Sequence, residues 1–131
     1  MESKFSPLSA EEESIGNKII KSAFQVHSHL GPGLLEKIYE TCLAFELRKQ
    51  GLVVSRQVNI PIRYKDLEFD EGIRLDLLVG NKVIVEIKAI ETVNPVWEAQ
   101  FLSQLRLMDL HLGYLLNFHV PLMKQGIKRF R

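Results

Sequence analysis

The sequence predicts one α/β (α+β) domain that combines helices with a sheet of four to five strands. Three observations predict it. Apolar residues recur at helical spacing from Ser9 to Gln50, and from Leu52 to Ala89 they change to a spacing of two. A further helical stretch begins at Asn94-Pro95 and is followed by two short strand-like runs. The chain has 131 residues, 46% of them apolar, which suits a single core burying about two thirds of the surface exposed by the unfolded chain. No repeat or low-complexity tract divides it, so residues 1–131 read as one domain, with 1–8 as a flexible N-terminal segment.

Ser9-Ala10-Glu11-Glu12 has the spacing of a capping box and should start the first helix. Ile15, Ile19, Ile20, Ala23, Phe24, Val26 and Leu30 fall on one arc of it, and Gly31-Pro32 stops it. His27 lies inside that arc and reads as a hydrogen-bonded core histidine rather than a site residue. A second helix is expected from about Leu34 to Gln50, ended by Gly51. Projection at 100° per residue puts Lys37, Thr41, Ala44 and Arg48 on its wet face and Leu35, Ile38, Tyr39, Cys42, Leu43 and Leu47 opposite. Glu36 falls at the edge of the apolar arc. It either holds a partner or metal there, or stays hydrated and favours the helix N-terminus.

Val54 to Ile60 alternate as a strand, and Pro61 marks an edge or a break. The strand continues through Tyr64 to a turn at Lys65-Asp66, and after the acidic run Glu68–Glu71 and Gly72 a second strand covers residues 73–79. Gly80-Asn81 turns the chain into a third strand, Lys82 to Ala89. These last two strands carry Arg74-Leu75-Asp76 and Glu86-Ile87-Lys88: two carboxylates that suit a hard cation such as Mg²⁺, and an ammonium that can orient water or offset phosphate charge.

Register decides whether that set converges. A two-residue loop would pair Asp76 with Val85 and turn it away from Glu86 and Lys88. A three-residue loop, Gly80-Asn81-Lys82, sets Asp76 opposite Glu86 and leaves Leu75, Leu77, Val79, Val83, Val85 and Ile87 as a wholly apolar face. The second register separates apolar from charged residues, so an odd loop or a bulge is expected.

The third helix should run from Pro95 to about Asp109 and bury Phe101, Leu105 and Met108, with Trp97, Gln100 and Gln104 on a neighbouring face. Tyr114–Phe118 and residues near Ile127–Phe130 read as strands. The net charge of +1 provides no global attraction for nucleic acid, and the basic C-terminal group Lys124, Lys128, Arg129 and Arg131 reads as a solvated tail. Cys42 is the single cysteine, which excludes an intrachain disulfide and argues against a cysteine zinc site. With no apolar signal region and no run long enough to span a bilayer, a soluble cytoplasmic protein is expected.

Gly33-Leu34-Leu35-Glu36-Lys37-Ile38-Tyr39 matches the pattern that names the GxxExxY protein family, and the match continues through Asp76, Glu86-Ile87-Lys88, Gln100 and Gly113-Tyr114-Leu115-Leu116-Asn117-Phe118. The chain thus resembles a compact branch of the PD-(D/E)xK nuclease-like superfamily. The resemblance implies a restriction-endonuclease-like core, a central mixed sheet with helices on both sides. It implies Asp76 and Glu86 as metal-binding carboxylates and Lys88 as the strand lysine. Glu36 matches the acidic residue of an early helix, and Gln100 opens a glutamine-x-x-x-tyrosine motif. Gln104 takes the tyrosine position and Arg74 replaces the proline, two departures from the superfamily pattern.

The function implied is a metal-dependent nuclease acting on DNA or RNA. Asp76 and Glu86, with Glu36 and the backbone carbonyl of Ile87, would hold Mg²⁺ or Mn²⁺, and Lys88 would position water or stabilise the transition state. The alternative role for Glu36 is to pair with Lys88 and hold it, which leaves two carboxylates for metal. Two alternatives stand beside this: a non-catalytic nucleic-acid or protein interaction module on the same fold, and a purely structural ion-pair knot. A homodimer or a partner protein is compatible with either class. Tyr64, Trp97 and Phe130 are candidates for base stacking, with core or interface packing as the simpler role.

Overall fold

The capping box at Ser9 is formed. Ser9 Oγ accepts from the Glu12 N–H at 3.0 Å, Glu12 Oε1 accepts from the Ser9 N–H at 2.8 Å, and helix α1 runs Ala10–Leu30. The computed structural model describes residues 7–131; the expected flexible segment therefore lies mostly outside the described residues, while Leu8 already packs against the core. Along α1, Ile15, Ile19, Ala23 and Val26 are buried as the spacing requires, but Phe24 remains 43% exposed. His27 is buried and its Nε2–H donates to the Val120 carbonyl at 2.8 Å, so it is the core histidine expected.

Helix α2 covers Glu36–Lys49, slightly shorter than expected, with Leu35 as its N-cap. Its buried face is turned from the projected one. Tyr39, Glu40, Leu43, Ala44 and Leu47 are buried, while Leu35 and Ile38 are 75% and 40% exposed. Small Ala44 permits close approach, and the Glu40 carboxylate is satisfied by partners on the first strand; neither effect is visible in a hydropathy projection. Tyr39 ties down the loop before this helix. Its hydroxyl donates to the Gly31 carbonyl at 2.6 Å and accepts from the Leu34 N–H at 3.1 Å, and its ring stacks on Phe118 at 4.5 Å.

Among the described residues, five strands form one mixed sheet in the order β1-β2-β3-β4-β5: β1 Val54–Tyr64, β2 Leu67–Val79, β3 Val83–Lys88, β4 Leu112–Asn117 and β5 Ile127–Phe130. Strands β3 and β4 are parallel and the other pairs antiparallel. The acidic run Glu68–Glu71, expected to precede the second strand, belongs to it, because Ile62, Arg63 and Tyr64 extend the hairpin across Phe69, Glu68 and Leu67. A register shift between Ile60 and Ile62 absorbs Pro61, on the edge strand. Of the basic C-terminal group, Lys128 and Arg129 lie on β5, the strand expected at Ile127–Phe130, while Lys124 precedes it and Arg131 follows it; all four are exposed. Lys128 pairs with Glu98 at 2.9 Å and Arg129 with Glu13 at 3.5 Å.

Helices α1 and α2 cover one face of the sheet, packing on Leu77, Val79, Val83, Val85, Ile87, Leu112, Tyr114 and Leu116. Helix α3, Pro95–Leu107, covers the other over Leu75, Ile84 and Leu115. Asn94 caps α3 by accepting from the Val96 N–H at 3.0 Å, and the helix ends two residues before Asp109, which adopts φ 53° and turns the chain away. Phe101 of α3 lies on Gly113: a Cβ at that position would meet Phe101 Cζ at 2.6 Å. The missing side chain is what lets α3 approach the sheet. Gly113→Ala is therefore expected to lower stability by about 1–3 kcal/mol, read from urea unfolding. Adding Phe101→Leu should cost less than its effect in the wild-type background; strictly additive losses would contradict this account.

Candidate active site

The loop Gly80-Asn81-Lys82 sets the register that sequence patterning favoured. Val79 pairs with Val83, Leu78 with Ile84 and Leu77 with Val85. Continuing that register puts Asp76 across from Glu86. There the backbone ladder gives way to a side chain: the Ile87 N–H donates to Asp76 Oδ2 at 2.8 Å. The hairpin β1–β2 also changes sides at this row. Leu77 and Val79 face α1 and α2, whereas Leu75 packs with the α3-side cluster; Val54 and Val58 divide in the same way. The expected six-residue apolar face thus loses Leu75. Gln57, with φ 50°, is the break in strand alternation on β1.

Asp76 and Glu86 consequently stand between two recesses. On the α2 side, Glu36, Lys37, Glu40, Arg56, Gln57 and Asp76 line an open cleft of about 670 Å³. On the α3 side, Glu86, Lys88, Trp97, Gln100, Phe101 and Gln104 line a cavity of about 20 Å³. The five candidate catalytic side chains lie around this junction, divided between its two sides: Asp76 and Glu36 toward α2, Glu86, Lys88 and Gln100 toward α3. Of the stacking candidates, Trp97 lines the α3 side, Phe130 packs edge-on against Phe101 in the core, and Tyr64 is exposed at the end of β1. Glu36, on the first turn of α2, is exposed, as the hydrated reading expected, although its charge still reaches Glu86.

Burial pushes the Glu86 carboxyl up to about 7, and the neighbouring Asp76 charge adds to the rise, with Lys88 opposing it. Asp76 is also raised, first by burial; the Ile87 N–H pulls it back, Glu40 raises it further, and Gln57 and Lys88 lower it. Glu86 Oε1 is buried with no hydrogen-bond partner among the described residues, and so is Gln104 Oε1. The Lys88 ammonium lies over the Trp97 ring, 4.3 Å from its centroid. Trp97 thereby acquires a contact with the site lysine that no stacking or packing role anticipated.

Glu40, Arg56 and Gln57 carry no site role in the sequence pattern. Glu40, one turn after Glu36, is 6% exposed. Its Oε2 accepts from Arg56 Nε at 3.0 Å and its Oε1 from Gln57 Nε2 at 2.7 Å, while Gln57 Nε2 also lies 3.3 Å from Asp76 Oδ1. The helical repeat from Glu36 to Glu40 was the available signal, but the partners lie on another element. Asn117 is a further support. Its amide donates to the Ile90 carbonyl at 2.8 Å and its carbonyl accepts from the Ile90 N–H at 3.2 Å, holding the chain just beyond Lys88.

Among the described residues, no group of three or more His, Cys, Asp or Glu side chains is spaced to hold a metal ion. The donors that do meet are two hard, mutually repelling carboxylates, one with a buried free oxygen. That chemistry fits Mg²⁺ or Mn²⁺, which commonly takes one or two protein carboxylates and keeps several waters. Glu36 at the cleft and the Ile87 carbonyl on β3 are the further oxygens available.

The raised Glu86 carboxyl has a stability consequence. In the unfolded chain Glu86 ionises near its ordinary 4.5, in the folded protein near about 7, so the folded state binds more protons between those values. The stability linked to Glu86 is therefore full below pH 4.5 and is lost as pH rises through 7. Glu86→Gln should remove this decline and, in metal-free buffer above pH 7, exceed the wild type by on the order of 2 kcal/mol. Urea unfolding across that range measures it; parallel profiles for the two proteins would contradict it.

The family model described as the PD-(D/E)XK nuclease superfamily matches residues 13–130, from the first helix to the last strand. No curated protein and no solved structure was found to match. Among the described residues no helix is long and apolar enough to cross a membrane. Three helices on a five-stranded mixed sheet, with Asp76 and Glu86-Ile87-Lys88 on adjacent strands, agree with that family match over nearly the whole chain. The chain belongs to the PD-(D/E)XK nuclease superfamily.

Proposed function

We propose that this protein is a metal-dependent nuclease that hydrolyses phosphodiester bonds of DNA or RNA, within the GxxExxY branch of its superfamily. The observation that carries the reading is the buried, unpartnered Glu86 Oε1 beside the Asp76 carboxylate. Such a pair is costly unless a cation or proton compensates it. Asp76 and Glu86, with the Ile87 carbonyl and Glu36, would hold Mg²⁺ or Mn²⁺. Bound there, the metal supplies polarisation of the phosphate and a water of lowered pKa.

The chain's own residues do the rest. The Ile87 N–H keeps one Asp76 oxygen aimed along β3 and leaves the carboxylate ionised more readily than burial alone would. Lys88 leaves the Trp97 face to set its ammonium against the phosphate or the attacking water, where charge develops. Gln100, exposed at the cavity mouth, offers an amide to a phosphate oxygen.

A second reading, a nucleic-acid or protein interaction module that no longer cuts, is favoured by two observations. Lys88 rests on Trp97 instead of against a carboxylate, and Gln104 stands at the tyrosine position. Labelled single- and double-stranded DNA and RNA incubated with Mn²⁺ separate the two. The nuclease reading expects cleavage that EDTA and Glu86→Ala abolish, with Lys88→Met slowing it on the order of 100-fold or more while folding is retained. Binding without cleavage, unchanged by EDTA, would select the module.

Metal binding should also displace the Glu86 proton. Calorimetric titration of Mn²⁺ in buffers of different ionisation enthalpy is expected to show proton release below about pH 7, with affinity rising with pH toward that value. Equal binding by wild type and Asp76→Ala would remove Asp76 from the ligands.

A further inference from the structure

We infer that Gln57 is a positioning residue for Asp76, its side-chain amide joining that carboxylate to the buried Glu40 of α2; the inference rests on the reading of Asp76 and Glu86 as cation ligands. Gln57 sits in β1 in the same row as Asp76, between the pairs Arg56–Leu77 and Val58–Leu75. Its φ of 50° lies in the left-handed region, which a residue with a long side chain rarely adopts inside a strand. Extended geometry would send its side chain to one face with the ordinary alternation. The left-handed turn delivers it to the junction instead.

What holds it there is a pair of acceptors. Nε2 donates to Glu40 Oε1 at 2.7 Å and toward Asp76 Oδ1 at 3.3 Å. Two carboxylates facing one amide also determine its orientation, since only the NH₂ end can serve both. Glu40 is itself fixed: its other oxygen accepts from Arg56 Nε at 3.0 Å, and Arg56 donates further to Thr41 Oγ1 at 2.8 Å. Asp76 is thus held at Oδ2 by the β3 backbone and at Oδ1 by a chain of bonds rooted in α2. A ligand carboxylate restrained at both oxygens loses less freedom when it binds a cation, and partners of this kind typically alter metal affinity by 10- to 100-fold.

Backbone and amide can be separated by substitution. Gln57→Gly deletes the amide at a φ that glycine adopts freely, and Gln57→Asn suits the same φ but is one methylene too short to bridge both carboxylates. Mn²⁺ titrated calorimetrically into the full chain at pH 7.5, with near-ultraviolet circular dichroism confirming unchanged packing, should give a Kd raised about 10-fold or more in both variants. Binding within twofold of wild type in either folded variant overturns the role of Gln57 alone. A wild-type chain that binds no Mn²⁺ overturns the metal reading on which it rests.

Discussion

The hydrogen bond from the Ile87 backbone to Asp76 Oδ2, at 2.8 Å, marks the place where β2 and β3 stop pairing, and most of the site depends on it. Two strands that separate inside a protein leave peptide groups without ladder partners, and each must be satisfied locally. Here a carboxylate does so. Asp76 therefore carries a structural duty, closing the end of the ladder, as well as the chemical one proposed for it. The same row is where β1 leaves strand alternation at Gln57 and where Leu75 passes to the α3 side of the sheet. One break in regular geometry creates both recesses.

The supports of this junction are distributed over the motifs of the chain. Tyr39 closes the loop that launches α2 and so locates Glu36 and Glu40. Asn117 on β4 holds the segment after Lys88, and the bare backbone of Gly113 lets Phe101 bring α3 down with Gln100 and Gln104 over the strand lysine. In Gly33–Tyr39 and Gly113–Phe118, then, the aromatic, amide and glycine positions serve placement, whereas the acidic and amide groups they place face the clefts.

Electrostatically the site is poised rather than settled. Two carboxylates approach in a desolvated setting, Glu86 keeps a free buried oxygen, and the lysine that would neutralise the pair lies on an aromatic face. Two half-buried carboxylates, both with raised pKa and one with an unpartnered oxygen, are the kind of perturbed pair that clusters at functional sites. Superfamily membership provides a reason for it, because divalent-metal phosphodiester chemistry requires such oxygens. With a net charge of +1, the chain has no global pull on a polyanion, and the cations at the clefts are Lys37, Arg56 and Lys88.

Much of this was legible in the amino-acid order. Helix starts at Ser9 and Asn94 follow from local hydrogen-bonding capacity, and the odd loop at Gly80-Asn81-Lys82 follows from keeping apolar and charged residues on separate faces. The spacing of Asp76, Glu86 and Lys88 made them candidates, but it is the odd register of the β2–β3 hairpin that brings Asp76 across from Glu86. Other features depended on contacts between elements distant in sequence. Glu40 could be buried only because Arg56 and Gln57 come to meet it, Ala44 was hidden by a helix approach that its small size allows, and Leu75 crossed the sheet at a break set jointly by two strands. Sequence by itself determined the order and type of the elements, the caps at Ser9 and Asn94 and the register of the central hairpin, because those rest on interactions between near neighbours. Tertiary structure alone decided which carboxylate of α2 is buried and how Asp76 is held, because the compensating donors for a desolvated charge come from another strand.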